Sequence, residues 1–133
     1  MKFYIASYVG EKEQTQTAQR YLRSFGHEIT VDWTALPGVP GPERNDREDD
    51  TAEIAVRDLN GVFEADVFVL IAGVPEGRAK YVELGAALAS SARTGKPRVY
   101  VLGQSPTHSV FFFHPSVKRV ATIDDVLADI GDR

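Results

Sequence analysis

The segment Ala65 to Gly73, ADVFVLIAG, most limits what this chain can become. Apart from Asp66, every residue before the glycine is apolar. A strand with one face in water alternates apolar and polar side chains; this one does not. A strand without a polar side must be covered on both faces, as strands inside parallel sheets are.

The remaining segments supply the partners such a strand needs. Lys2 to Val9, KFYIASYV, is rich in β-branched and aromatic residues and predicts a first strand. Glu11 to Phe25 sets Ala18, Tyr21, Leu22 and Phe25 at helical spacing, with Gly26 where a helix ends. His27 to Trp33 alternates and predicts a second strand. Thr51 to Glu64 carries a helical stripe of Ile54, Leu59, Val62 and Phe63, with Asp49 or Asp50 as its cap. A third helix is expected from about Tyr81 to Ala92, a fourth strand from Lys96 to Gly103, and a fifth within KRVATI. Asp124 to Ile130 predicts a closing helix. Ser109 to Val117, SVFFFHPSV, reads equally as a short strand or an apolar loop. Ala35 to Asp50 holds three prolines, two glycines and a cluster of charges; it reads as a long loop, either a lid or disordered.

Strands therefore alternate with helices. This predicts one α/β domain over residues 1–133, a three-layer sandwich on a mostly parallel sheet of about five strands with right-handed crossovers. In such sheets ligands bind beyond the C-terminal strand ends, where strand order reverses. The expected site walls are the loops after the first strand, Ser7 to Gly10, and after the third, Gly73 to Lys80.

Bulk properties narrow the chemistry. A net charge of -4 gives no general attraction to nucleic acid polymers or anionic membranes. With no cysteine, disulfides, thiolate metal sites and a Cys nucleophile are excluded. The opening residues lack a signal-peptide pattern and no apolar run reaches the roughly 20 residues that cross a bilayer, so a cytoplasmic protein is expected. His27, His108 and His114 have no metal-ligand spacing. Phosphate-binding Gly-rich motifs and a Gly-x-Ser-x-Gly elbow do not occur.

Carboxylates remain. Glu83, in YVELGAALAS, is expected in the first turn of the helix after the buried strand. There, free backbone N–H groups and the helix dipole favour its ionised form, and the strand end puts it over the cleft. An ionised carboxylate facing a cleft can attack an electrophilic carbon. The plainer reading is that acids stabilise first turns by a few tenths of a kcal/mol. Asp58 lies inside the preceding helix, a poor place for Asp, and Asn60-Gly61 weakens the helix further. A local purpose and a solvated, fraying helix face both fit.

DLNGVFEADVFVLIAG, a short Gly-bearing loop, ELGAALA and GKPRVYVLG follow one another in an order that resembles the nucleoside 2-deoxyribosyltransferases and the related nucleotide N-glycosidases. FYIAS and GHEITVDW also resemble the family's opening. The resemblance implies a flavodoxin-like fold, no cofactor or metal, a homodimer or higher homo-oligomer, and a small nucleoside or nucleotide as substrate. It implies that Glu83 is the nucleophile and Asp58 an acid that orients or binds near the sugar. The implied reaction runs through a glycosyl-Glu83 ester to a second base or to water. Tyr4, Ser7 and Tyr8 are then suited to stack on a base and bind ribose, though core packing for Tyr4 and surface for Tyr8 fit as well. Gly73, Glu76 and Arg78 would line the other wall. The sequence departs from the family in its Glu83 loop, where Glu76 is the nearest acid and Arg78 and Lys80 bring positive charge. Its first loop, SYVGEKE, is poor in phosphate ligands. Phe111 to His114 fits core or a subunit interface, and Trp33 a structural role. Two rivals stand beside the enzyme: a nucleotide-binding module without turnover, and a glycohydrolase of a dinucleotide such as NAD.

Overall fold

The computed structural model describes residues 1–132; the last residue of the expected domain lies outside them. Five strands, β1 (Lys2–Ala6), β2 (Glu28–Ile29), β3 (Val67–Ile71), β4 (Arg98–Leu102) and β5 (Val117–Val120), form one sheet in the order β2-β1-β3-β4-β5. Every neighbouring pair is parallel. This is the doubly wound order with its reversal between β1 and β3.

The helices are α1 (Lys12–Ser24), α2 (Glu48–Glu64), α3 (Arg78–Thr94) and α4 (Ile123–Asp129). Strand alternation sorts the core into two halves. Phe3 and Ile5 of β1 join Leu22 of α1 and Val126 and Leu127 of α4 on one face. Tyr4 and Ala6 join Val62 of α2 and Leu84 and Ala87 of α3 on the other. The result is the expected three-layer sandwich. All five side chains of β3 are buried, and each contributes roughly 1.5–3 kcal/mol by leaving water. That double burial explains why the run has no polar alternation.

Several boundaries differ from expectation. β2 pairs over two residues only. After Thr30 N–H donates to the Phe3 carbonyl, the chain turns away, and the indole Nε1 of Trp33 donates to the Ile5 carbonyl at 2.8 Å. A side chain thus replaces the next rung of the ladder. The segment from Ala35 to Asp50 is not a simple loop. Gly41–Asp46 is a 3-10 helix and α2 begins at Glu48. Asp49 and Asp50 lie within its first turn rather than capping it, where they face the helix's positive end. Val39 is buried, and Arg44 Nε donates to its carbonyl. Of the expected α2 stripe, Phe63 faces outward. SVFFFHPSV contains a 3-10 helix, Val110–Phe113, with Phe112 buried and Phe111 and Phe113 exposed.

Asn60-Gly61 does not end α2, which runs on to Glu64. Gly61 is where the helix comes closest to the sheet. A Cβ placed there would stand 2.5 Å from Val31 Cγ2 and 3.1 Å from Tyr4 Cδ2. Its carbonyl accepts the Thr30 hydroxyl at 2.8 Å. Alanine favours a helix interior over glycine by about 1 kcal/mol, yet Gly61→Ala is expected to destabilise the protein by about 1–3 kcal/mol, because the added methyl overpacks a closed contact. Urea unfolding of the two proteins measures the difference; a more stable variant would show that α2 can back away from β1.

Candidate active site

Tyr4 lies in the middle of β1, paired with Phe68 across the β1–β3 register. Their rings stack with centroids 6.0 Å apart and an interplanar angle of 5°. Tyr4 has no exposed surface. It therefore has no face to offer a base, which corrects the expectation of a stacking platform. Its hydroxyl points out of the sheet toward α3 and donates a hydrogen bond to Glu83 Oε2.

Glu83 is the sixth residue of α3, because the helix begins at Arg78, three residues earlier than expected. The helix start is set by Gly77, whose φ of 103° is open to glycine but strained for other residues. A Cβ on Gly77 would also approach Tyr8 Cα to 3.2 Å. Glu83 thus sits in the second turn, where no free N–H remains to hold it. The expected stabilisation of its charge by the helix start does not apply. Glu83 is only 8% exposed, and burial pushes its carboxyl from an ordinary 4.5 up to about 7. The Tyr4 hydroxyl opposes that rise by stabilising the anion, and the negative charge of Asp58 adds to it. Burial, then Glu83, likewise hold the Tyr4 phenol far above its usual value, so it remains a donor.

Asp58 lies on α2, its side chain 24% exposed, and pairs with the neighbouring Arg57 Nε at 2.9 Å. Arg57 also donates to the Pro37 carbonyl, tying the segment ahead of α2 to the helix. Asp58 thus stands near enough for its charge to act on both Glu83 and Tyr4.

The other sequence-derived residues divide between the two loops. Ser7 Oγ lies 2.7 Å from the buried Thr15 hydroxyl and donates to the Tyr8 carbonyl at 3.2 Å, so it anchors its loop to α1. Tyr8 is half-buried and bridges the loops, its ring against Gly10 and its Cβ against Gly77. Gly73, with φ of 44°, packs against the Glu11 carboxylate, a contact that a side chain would block. Glu76 and Arg78 are exposed at the rim.

Lys80 is placed differently from expectation. It has no exposed surface, and its ammonium donates to the carbonyls of Ala72 at 3.0 Å and Val74 at 2.6 Å. Burial lowers its pKa, while Glu11 and Glu76 pull it back up. Its charge fastens the β3–α3 loop and is not offered to a ligand. Sequence reasoning also passed over Glu11, whose carboxylate accepts the Val74 N–H at 3.3 Å. Neither residue carries a local signature, since each is defined by what the opposite loop presents.

One hollow of about 480 Å³ lies between residues 37–39 and α2. It reaches Arg57, next to Asp58, but does not include Glu83. Among the described residues no group of three or more His, Cys, Asp or Glu is arranged to hold a metal ion. No described helix is long and apolar enough to cross a membrane.

A buried acid without a cation makes a stability prediction. Folded, Glu83 keeps its proton to about pH 7; unfolded, only to about 4.5. Between those values the folded state binds more protons. Its stability therefore falls as pH rises through that window, and the full penalty, of the order of 3 kcal/mol, is present above it. Glu83→Gln keeps an acceptor for Tyr4 and removes the charge. It is expected to stabilise the fold by up to that amount near about pH 8 and little near about pH 5, as read by denaturant unfolding at both. Equal effects at the two pH values would show that the acid is not burdened by burial.

No family model matches this chain, and no curated protein matches it by sequence. Solved structures share its architecture, among them the following two. One is the CMP N-glycosidase BcmB of Clostridium botulinum, with a TM-score of 0.63 at 15% identity over 98% of both chains. The other is the 2-deoxyribosyltransferase of the psychrotolerant bacterium Bacillus psychrosaccharolyticus, with a TM-score of 0.65 at 19% identity over 95% of this chain and 90% of that one. The chain is therefore an α/β domain that follows, over 95% or more of its length, the fold that these two proteins share.

Proposed function

We propose that this protein is an enzyme that cleaves or transfers the N-glycosidic bond of a nucleoside or nucleotide, with Glu83 as nucleophile. The observation that carries this reading is the state of Glu83: buried on α3 against β1, hydrogen-bonded by a phenol rather than paired with a cation among the described residues, its pKa raised to about 7. The neighbouring folds, one an N-glycosidase and one a deoxyribosyltransferase, support the same reaction class.

The chemistry divides into two displacements. In the first, an ionised Glu83 oxygen bonds to C1′ as the C1′–N bond breaks. The base leaves with the electron pair and takes up a proton, for which Glu76 is the acid in the adjoining loop. In the second, another base or water attacks C1′, giving up its proton to the Glu76 carboxylate left by the first step, and Glu83 departs as a carboxylate. This is the retaining logic of carboxylate nucleophiles. The developing positive charge on the sugar is stabilised by the negative charge of Asp58 beside the site. Tyr4 is a positioning residue: it fixes the carboxyl orientation and tunes its acidity. Gly73, Tyr8 and Ser7 shape the opposing wall, and Arg78 stands at the rim. Self-association into a homodimer or higher oligomer fits the exposed Val110, Phe111 and Phe113, which a second copy would cover.

The test is a panel of deoxynucleosides, ribonucleosides and their 5′-monophosphates, with and without an acceptor base. Glu83→Ala is expected to abolish turnover, and the intact wild-type mass should show a sugar-sized adduct. Base exchange marks a transferase; free sugar marks a hydrolase. In addition, kcat/KM should rise with pH through about 7 as Glu83 ionises, standing at roughly a tenth of its plateau one pH unit below. Tyr4→Phe removes a bond to the anion and should move this limb to higher pH. Asp58→Asn removes a repelling charge and should move it lower. A limb that stays put in both variants, or an active Glu83→Ala protein, sinks the assignment.

A further inference from the structure

The β1–α1 and β3–α3 loops meet where strand order reverses, and one side chain dominates the junction. Glu11 immediately precedes α1. Its carboxylate lies against the α carbon of Gly73, Oε1 accepts the Val74 N–H at 3.3 Å, and Oε2 accepts Gln14 Nε2 at 3.4 Å. In sheets of this topology such junctions face the ligand, and an incoming anion would draw on these backbone donors. Here a protein carboxylate already draws on one of them.

Of the cations nearby, Lys80 stands close enough for the Glu11 charge to raise its pKa, but its ammonium is turned into the protein rather than toward a ligand. Lys80 is fully buried and committed to the Ala72 and Val74 carbonyls. On the α2 side, Arg57 is committed to Asp58 and to the Pro37 carbonyl. Arg78 is exposed at the start of α3, and Glu76 stands two residues before it. A phosphate received at this junction would meet the Glu11 carboxylate and find the Val74 N–H already taken.

We propose that Glu11 sets substrate class: it selects uncharged nucleosides and rejects their 5′-monophosphates, by fixing a negative charge and occupying the Val74 N–H where a phosphate would be received. The proposal rests on the nucleoside reading given above. It also counts against dinucleotide substrates, whose diphosphate would meet the same charge.

The experiment compares kcat/KM for one deoxynucleoside and its 5′-monophosphate on the wild type, Glu11→Gln and Glu11→Ala, at low and high salt. The wild type should prefer the nucleoside by about tenfold or more. Both variants should lower that ratio by about tenfold, and high salt should narrow it in the wild type more than in the variants. A wild type that prefers the monophosphate, or a ratio unchanged by either variant, overturns the proposal while leaving Glu83 chemistry intact. If nothing turns over, the same ratio is read as Kd by calorimetry. Nucleoside binding that excludes the monophosphate only while Glu11 is present upholds charge selection and removes the glycosidic reading. Failure of the wild type to bind either compound removes both.

Discussion

A carboxylate taken out of water with no cation to meet it sets the terms for the surroundings of Glu83. Most buried acids are paired with Lys or Arg, and pairing would hold the charge at the cost of reactivity. Among the described residues, the carboxyl's hydrogen bond comes from the neutral Tyr4 phenol. Two consequences follow from that choice. The acid titrates in the range where its charge can be switched. The burden of its burial must also be carried by the rest of the core, which explains why Tyr4 is locked by stacking on Phe68 and by Gly61 closing over its ring edge.

The surrounding architecture serves the same end. β3 is the central strand and β1 lies directly beside it, and their side chains on the α2–α3 face are buried in one cluster. Lys80 ties the carbonyls at the end of β3, and Tyr8 pins the first loop against Gly77. α3 is therefore anchored before its first turn is complete, and Glu83 inherits a fixed position one turn later. A site built from rigid elements holds its geometry more closely than one built on free loops.

Much of this was legible in the residues. The doubly buried run at 65–73 implied a parallel sheet and helices on both faces, and the strand-helix alternation implied the layer order. What escaped was every feature made by distant chain segments. Tyr4 and Glu83 are 79 residues apart, and Val74 and Glu11 are 63 apart. Tyr4 reads as an ordinary strand aromatic and Lys80 as an ordinary loop cation, since a buried lysine has no local mark. The start of α3 was misplaced because Arg78, Ala79 and Lys80 look like loop beside two glycines, although all three form helices well. The shortness of β2 was hidden because Thr30, Val31 and Trp33 have strand propensity; only the indole's bond to Ile5 shows why the ladder stops.

That early stop matters for the borders of the sheet. An open strand edge is a template on which another chain can grow, and proteins guard such borders in several ways. On one border, two residues are all that β2 contributes, and the Trp33 indole seals the next carbonyl beyond it. On the other, β5 carries the outward charges Lys118 and Arg119. Neither margin invites edge-on extension into a continuous sheet, which guards the chain against the strand-to-strand stacking that precedes fibrils.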